Sequence, residues 1–102
     1  MKTVIAERKL LFCEKGSNTK KELRIQLGTP VVVKSDQVKF PVDGTTAICH
    51  VEFEGLNQHS FDVYGMDSLQ ALNLASDVEK VLKRLSSKYD FFWETNDPYF
   101  ED

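Results

Sequence analysis

Two short runs at residues 47–54 and 58–64 alternate apolar and polar side chains, and this pattern constrains the fold more than any other feature of the chain. Successive side chains of a β-strand point to opposite faces, so each run predicts a strand with one buried and one solvated face. The turn signal Gly55–Asn57 separates the runs, which predicts a β-hairpin. Its expected buried face carries Ala47, Cys49, Val51, Phe53, Phe61 and Val63.

The register of this hairpin can be predicted from charge. Pairing Glu54 with Gln58 gives one register, and it places His50 opposite Asp62. A slip of two residues would instead place Glu52 opposite Asp62, and like charges directly opposite each other destabilise a sheet. We therefore expect the first register.

Three other segments also have strand character. Thr3–Glu14 has apolar residues on both faces, which indicates a strand that is partly covered on both sides. Lys21–Leu27 alternates and should pair with it as a second hairpin, and Tyr89–Trp93 is expected to return to the sheet as its last strand. In residues 31–43 we expect an excursion with a short edge hairpin.

A helix is expected over residues 67–86. Asp67 is a good N-cap residue, and Gln70, three positions later, completes a capping box. Seven apolar residues fall within an arc of about 120° on this helix, and we expect that arc to pack on the sheet. The arc consists of Ala71, Leu74, Ala75, Val78, Val81, Leu82 and Leu85. Leu69 and Leu72 lie outside it, either in contact with a neighbouring loop or the C-terminal segment, or as an exposed partner-binding patch.

These elements predict an α+β fold, in which an antiparallel sheet of four to five strands carries one long amphipathic helix on one face. The 102 residues are expected to form a single domain over 1–102, large enough for one hydrophobic core. Within it, residues 89–102 are an aromatic and acidic C-terminal segment, with six of the eleven aromatic residues, five acids and no Lys or Arg. Because disordered solubilising tails are poor in aromatic residues, this segment should pack on the domain or contact a partner.

The charge of the chain restricts its partners. The net charge of −3 disfavours nucleic acid, because phosphate neutralisation requires a basic surface. Residues 1–40 carry nine bases and four acids, whereas residues 41–76 carry five acids and no base. No apolar stretch approaches the ~18 residues of a membrane span, and no signal peptide is recognisable. We therefore expect a cytoplasmic protein that binds neither nucleic acid nor membrane, with Cys13 and Cys49 as buried thiols.

The sequence contains no metal-ligand spacing, phosphate-binding loop or nucleophile motif. His50 and Asp62 share the polar face of the predicted hairpin, but His59 lies on its other face, and a zinc site needs three or four converging ligands. Cys49 and His50 are neighbours in one strand, so their side chains point apart and cannot form a thiol–base pair. We expect no enzymatic activity, no metal and no cofactor.

Four segments stand out together: Ile5-Ala-Glu-Arg, Ile25-Gln-Leu-Gly-Thr-Pro, Cys49-His-Val-Glu-Phe-Glu-Gly-Leu and Tyr64-Gly-Met-Asp-Ser-Leu-Gln-Ala-Leu. Over about residues 5–93 they resemble a family of small bacterial proteins known only as a domain of unknown function. The most specific element is Gly65-x-Asp67-Ser68-x-Gln70-Ala71-Leu72, at the expected helix start. The resemblance implies a one-domain bacterial protein and supplies no activity.

The polar face of the predicted hairpin combines acids with an aromatic residue. Carboxylates steer a basic partner, and Tyr and Trp give large contact areas at low entropic cost. The expected partner-binding residues are Glu52, Glu54, Asp62 and Tyr64 on this face, together with Trp93, Tyr99 and Phe100 in the C-terminal segment. A solvated sheet face without a partner is the alternative.

A short, locally acidic chain without catalytic motifs favours a non-enzymatic protein-binding domain. The first hypothesis is a cytoplasmic inhibitor of the immunity type, a monomer or weak dimer that neutralises a basic bacterial toxin such as a nuclease. The second is a structural or regulatory subunit, which acts through self-association or through another protein partner. Leu69 and Leu72 are the expected contacts of such a subunit.

Overall fold

The segments with strand character form an antiparallel sheet, and the predicted helical region packs against it. The computed structural model describes residues 3–33, 46–56 and 59–100. Its elements in chain order are β1 Val4–Glu14, β2 Lys21–Gly28, β3 Val31–Val32, β4 Ala47–Glu54, β5 Phe61–Gly65, α1 Ser68–Ser76, α2 Glu79–Leu85 and β6 Tyr89–Trp93. The predicted α+β class is confirmed. Apart from β3, the excursion expected within residues 31–43 lies outside the described residues.

The six described strands occupy five positions across the sheet. Val51 of β4 pairs with β2 on one side and with β5 on the other, and Ala47 pairs with both β3 and β5. β2 and β3 therefore lie in line along one edge of β4. The order is β5, β4, β2 with β3, β1 and β6, and all pairings are antiparallel. The prediction of four to five strands was too low. Pro30 has no N–H to donate to the ladder, and the chain along this edge of β4 is therefore divided into β2 and β3.

The register predicted for the second hairpin is confirmed. In β4 and β5 the paired residues are Cys49 with Val63, His50 with Asp62, and Val51 with Phe61. The last strand is also where the sequence placed it. β6 pairs with β1, so that Leu10 lies opposite Trp93 and Phe12 opposite Phe91. The first and last described strands of the chain are thus neighbours in the sheet.

The helical stretch from Ser68 to Leu85 covers one face of the sheet and is interrupted between α1 and α2. Asp77 ends α1 with φ −81° and ψ 61°, outside the helical region. The prediction treated residues 67–86 as one helix, and it therefore assigned the buried side of the whole stretch from one continuous turn of about 100° per residue. For that reason it placed Leu74 in the buried arc, whereas Leu74 is 49% exposed and Leu72, placed outside the arc, packs against the core.

The hydrophobic core lies between the helices and one face of the sheet. The stripes predicted for β2 and β4 face the helices as expected, and the central strand β1 adds Leu10 and Phe12. α1 packs against β4, and both elements have small residues in the core: Ala71 and Ala75 of α1 and Ala47 and Cys49 of β4 are almost fully buried. Small residues let the helix approach the sheet closely, and Leu82 of α2, at 0% exposure, fills the core beside them.

The turn from β5 into α1 explains the most specific motif of the sequence. The Asp67 carboxylate accepts a hydrogen bond of 2.8 Å from the Gln70 N–H, as an N-cap does. The Gln70 side chain accepts one of 2.6 Å from the Met66 N–H, one residue before the N-cap. A Cβ atom at Gly65 would overlap the backbone nitrogen and Cα of Ala71. The motif therefore has a structural role, since it folds the chain tightly from strand to helix.

Leu82→Ala tests the core contact of α2. We expect it to lower the free energy of unfolding by roughly 2–5 kcal/mol, because the substitution removes a fully buried side chain and leaves a cavity. Urea unfolding followed by circular dichroism measures the change. The exposed neighbour Arg84→Ala is the matched control and should change stability by less than about 0.5 kcal/mol. Equal effects of the two substitutions would contradict this packing.

Gly65→Ala tests the close approach at the start of α1. We expect a loss of about 1–3 kcal/mol, since the added methyl group meets backbone atoms that cannot move away as a side chain would. Gly28→Ala is the control, because a Cβ there would have its nearest neighbours at 3.8 Å, an ordinary contact distance. Thermal unfolding of both variants, recorded side by side, should show the loss at residue 65 alone.

Candidate partner-binding surface

The helices leave one face of the sheet uncovered, and four of the predicted site residues lie on it. The side chains of Glu52 and Glu54 alternate with core residues of β4, and Asp62 and Tyr64 do the same in β5. We call this surface the open face. It is formed by Glu7, Lys9, Leu11, Glu22, Arg24, Gln26, His50, Glu52, Glu54, Asp62, Tyr64 and Phe92.

Arg24 lies at the centre of the open face and is shared between two carboxylates. Its Nε is 3.1 Å from Glu7 Oε1, and its Nη1 is 3.8 Å from Glu54 Oε2. These side chains are 32–66% exposed, and exposed ion pairs typically contribute only about 0–1 kcal/mol. Glu52, which lies opposite Gln26 in the ladder, makes no ion pair within the described part of the chain. The carboxylates of β4 are therefore only partly neutralised.

His50 and Asp62 form the cross-strand pair that the register predicted, with 2.8 Å between Nδ1 and Oδ1. Two groups do not make a metal site. Within residues 3–33, 46–56 and 59–100, no group of three or more His, Cys, Asp or Glu side chains is arranged to hold a metal ion. The pair occupies one end of the open face as a polar contact between β4 and β5.

Cys49 lies on the other side of β4 from His50 and is fully buried. Its thiol donates a hydrogen bond of 3.3 Å to the Gly28 carbonyl oxygen. Burial raises the pKa of the Cys49 thiol, and the negative charge of Asp62 raises this pKa further. The thiolate is the reactive form, and a raised pKa lowers the fraction of thiolate at neutral pH. Cys49 is therefore expected to react slowly with thiol reagents.

A shallow cleft of about 250 Å³ crosses the open face and contains acids that the sequence analysis did not select. It brings Glu54 together with Glu22 of β2 and with Glu94, the residue after β6. Lys9 and Arg24 are the bases in its lining. The alternation of β2 already indicated an outward Glu22, but only the pairing of β2 with β4 shows that it lies beside Glu54.

The three aromatic residues of the C-terminal segment that were predicted as partner contacts do not join the open face. Trp93 lies opposite Leu10 in the ladder, so its side chain is on the helix side of the sheet. Tyr99 is 8% exposed and belongs to the core cluster, and Phe100 is partly buried against it. The sheet itself therefore separates Trp93, Tyr99 and Phe100 from the acids of β4 and β5.

The domain holds this segment through cations. The Arg8 guanidinium lies 5.6 Å from the Trp93 ring centroid and 5.8 Å from that of Tyr99, and it donates a hydrogen bond of 2.6 Å to the Tyr99 hydroxyl. That hydroxyl donates a hydrogen bond of 3.2 Å to Glu79 Oε1 of α2. Burial raises the pKa of Tyr99, Arg8 opposes this shift, and Glu79 adds to it. Tyr99 therefore fastens the segment to β1 and α2 at once.

Two residues were predicted as contacts of a structural or regulatory subunit, Leu69 and Leu72, and they lie in different environments. Leu69 is 73% exposed, with Met66 nearby at 67%, while Leu72 packs against the core. The helix α1, Ser68–Ser76, contains no charged residue. Its outer side therefore presents Leu69 on an uncharged surface.

Comparison with known proteins gives no relative: no family model matches the chain, and neither a curated protein nor a solved structure does. Among the described residues, no helix is long and apolar enough to cross a membrane. Function therefore has to be inferred from the geometry and charge of the surface itself.

The reactivity of Cys49 tests the placement of the thiol in the core. We expect iodoacetamide at about pH 8 to label it at least tenfold more slowly than an exposed cysteine, because burial and a raised pKa both deplete accessible thiolate. Mass spectrometry of the peptide that contains Cys49 gives the rate. The same reaction in guanidinium chloride is the control, and rapid labelling of the folded protein would contradict the buried position.

Proposed function

We propose that the protein is a non-enzymatic binding domain whose open face receives a basic protein, and that it is an inhibitor of the immunity type acting on a basic bacterial toxin such as a nuclease. The observation that carries the proposal is the one-sided covering of the sheet. The helices bury one face, while the other presents Glu52, Glu54 and Asp62 beside the exposed ring of Tyr64.

The electrostatics of this face support a basic partner. Glu52 has no cation of its own in the described chain, and Arg24 divides its charge between Glu7 and Glu54. Because exposed pairs of this kind are weak, a Lys or Arg from a partner can replace their internal contacts at low cost. Unpaired carboxylates also speed the encounter with a basic protein, and salt screens this attraction over the ~8 Å Debye length of physiological ionic strength.

The size of the open face is also suitable for a protein partner. Five strand positions at ~4.8 Å spacing and strands of 8 residues at ~3.4 Å each give a face of roughly 600 Å². A specific interface of standard size buries about 800 Å² on each side. A partner that covers this face and part of its rim would therefore bury a standard area.

The proposed interface is centred on Glu52, Glu54, Asp62 and Tyr64, with the cleft acids Glu22 and Glu94 added. A partner seated there has the sheet between itself and the Trp93 side chain. In this proposal the edge of the domain is stabilised by Trp93, Tyr99 and Phe100. These three residues would contact the partner only if it also reached the helix side of the sheet.

A structural or regulatory subunit is the second candidate, and Leu69 favours it. A leucine that is 73% exposed on an uncharged helix is a suitable contact for self-association. The two candidates differ in their response to mutation, because one uses the acids of the open face and the other the apolar side of α1. Leu69→Glu should abolish self-association and leave binding of a basic toxin unchanged.

Charge reversal on the open face tests the inhibitor proposal. A pull-down from the native host, read beside the neighbouring genes, should yield a basic toxin domain encoded next to this gene. We expect Glu52→Lys to weaken its binding at least tenfold, mainly through slower association, and to reduce the dependence of the rate on salt. Surface plasmon resonance at several salt concentrations measures both effects.

The matched control is Asp77→Lys, which makes the same change of charge at the break between the helices, away from the open face. It should alter binding less than twofold. Tyr64→Ala should cost about 2 kcal/mol of binding free energy if the ring is a central contact. A partner that is not basic, or equal losses from Glu52→Lys and Asp77→Lys, would refute the proposal.

A further inference from the structure

The C-terminal segment occupies a groove that is built like a binding site for an extended peptide. Residues 97–99 run antiparallel to β6 along its outer edge: the Trp93 N–H donates to the Asp97 carbonyl at 2.8 Å, and the Tyr99 N–H donates to the Phe91 carbonyl at 2.9 Å. Phe92 and Pro98 form a bridge between the two strands. The segment thus adds a short strand to the sheet, as peptides do in β-augmentation.

Side chains give this groove a chemical preference. Three cations of the domain each lie against an aromatic ring of residues 89–100: Arg8 against Trp93 and Tyr99, Lys20 at 4.1 Å from the centroid of Phe92, and Lys83 at 4.7 Å from that of Phe100. Lys15 adds an ion pair of 2.7 Å with Asp90. Of these cations, Arg8 and Lys83 contact the occupying segment itself, at Tyr99 and Phe100, so the groove selects an extended segment with aromatic residues at these two positions.

A short turn connects the groove to its present occupant. Residues 94–96 link β6 to Asp97, and Asn96 closes the turn with a φ of +73°, in the left-handed region. The Asn96 N–H donates to the Trp93 carbonyl at 2.9 Å, and Lys20 donates to the Asn96 side chain at 2.9 Å. The reversal of the chain thus depends on three residues, while the contacts in the groove do not depend on which molecule supplies the strand.

We propose that this groove also accepts the C-terminal segment of a second copy of the chain, so that two molecules exchange residues 97–100 and form a reciprocal dimer. The exchanged segment fits because it makes the contacts that it already makes within one molecule. When the turn opens, β6 continues straight into residues 97–100. These residues then pair in antiparallel order with β6 of the second molecule. The proposal uses none of the acids of the open face and stands without the function proposed above.

The closed monomer is favoured at low concentration, because the short turn keeps the segment at a high effective concentration beside its own groove. Exchange should therefore become dominant when the turn cannot close. Deletion of Thr95 and Asn96 leaves one residue between β6 and Asp97, and a tight hairpin needs about two. The segment can then reach only the groove of another molecule.

The deletion of Thr95 and Asn96 in the full chain is the primary test. Light scattering coupled to size-exclusion chromatography should show a dimer, and Tyr99→Ala added to the deletion should return it to a monomer. The length-matched control replaces Thr95 and Asn96 with two glycines and should remain monomeric. A folded monomer for the deletion, a dimer for the glycine control, or a dimer that survives Tyr99→Ala would overturn the proposal.

Should the shortened chain fail to fold, a peptide of residues 94–102 provides the deciding measurement. The acceptor is the full-length Tyr99→Ala protein, whose own segment lacks its anchor, and Trp93 is the single tryptophan and lies at the groove. The peptide should change Trp93 fluorescence saturably. A Tyr99→Ala peptide should bind about thirtyfold more weakly, as for the loss of a buried aromatic anchor. No saturable change with the unmodified peptide would overturn the proposal.

Discussion

The packing of α1 on β4 and β5 is the contact on which the rest of the structure depends. Ala71 and Ala75 have little side chain to separate the helix from the sheet, and Gly65 removes the last obstacle at the turn. This close approach buries one face of β4 completely, and among the described residues no helix or strand covers the other face. The division of the molecule into an apolar interior and a charged open face follows directly from it. The function proposed for the open face begins from that division.

Much of the fold could be predicted because local patterns determine it. The alternation in β4 and β5 predicted their faces, and the like charges of Glu52 and Asp62, which disfavour a slip of two residues, predicted their register. The N-cap at Asp67 likewise marked the start of α1. The exposure of Leu74 could not be predicted, because it depends on a break at Asp77 that the helical period does not reveal. Prediction succeeded where neighbouring residues determine the outcome, and it failed for Leu74 and Leu72, which lie in the helix before the break.

The candidate site was predictable only in part, for a related reason. Which residues of β4 and β5 share a face can be read from their period of two, whereas the partners of each strand cannot. Glu22 and Glu94 come into the cleft beside Glu54 through the pairing of β2, β1 and β6, which spans most of the chain. The fate of the aromatic segment depends on Arg8, 91 residues away from Tyr99. The excess of bases in the first forty residues is thus partly used within the domain, to hold the acidic and aromatic end of the chain.

The pairing of β1 with β6 has a consequence for the way the protein is made. The hairpin of β1 and β2 can form once residue 28 has left the ribosome, but the other edge of β1 must wait for residue 93. At a synthesis rate of about 5–20 residues per second, that edge stays uncovered for roughly 3 to 13 seconds. During this interval Leu10 and Phe12 lack the strand that later borders them. Newly made chains therefore pass through a stage in which a central strand behaves as an edge, and that stage is when they are most open to mispairing and to capture by chaperones.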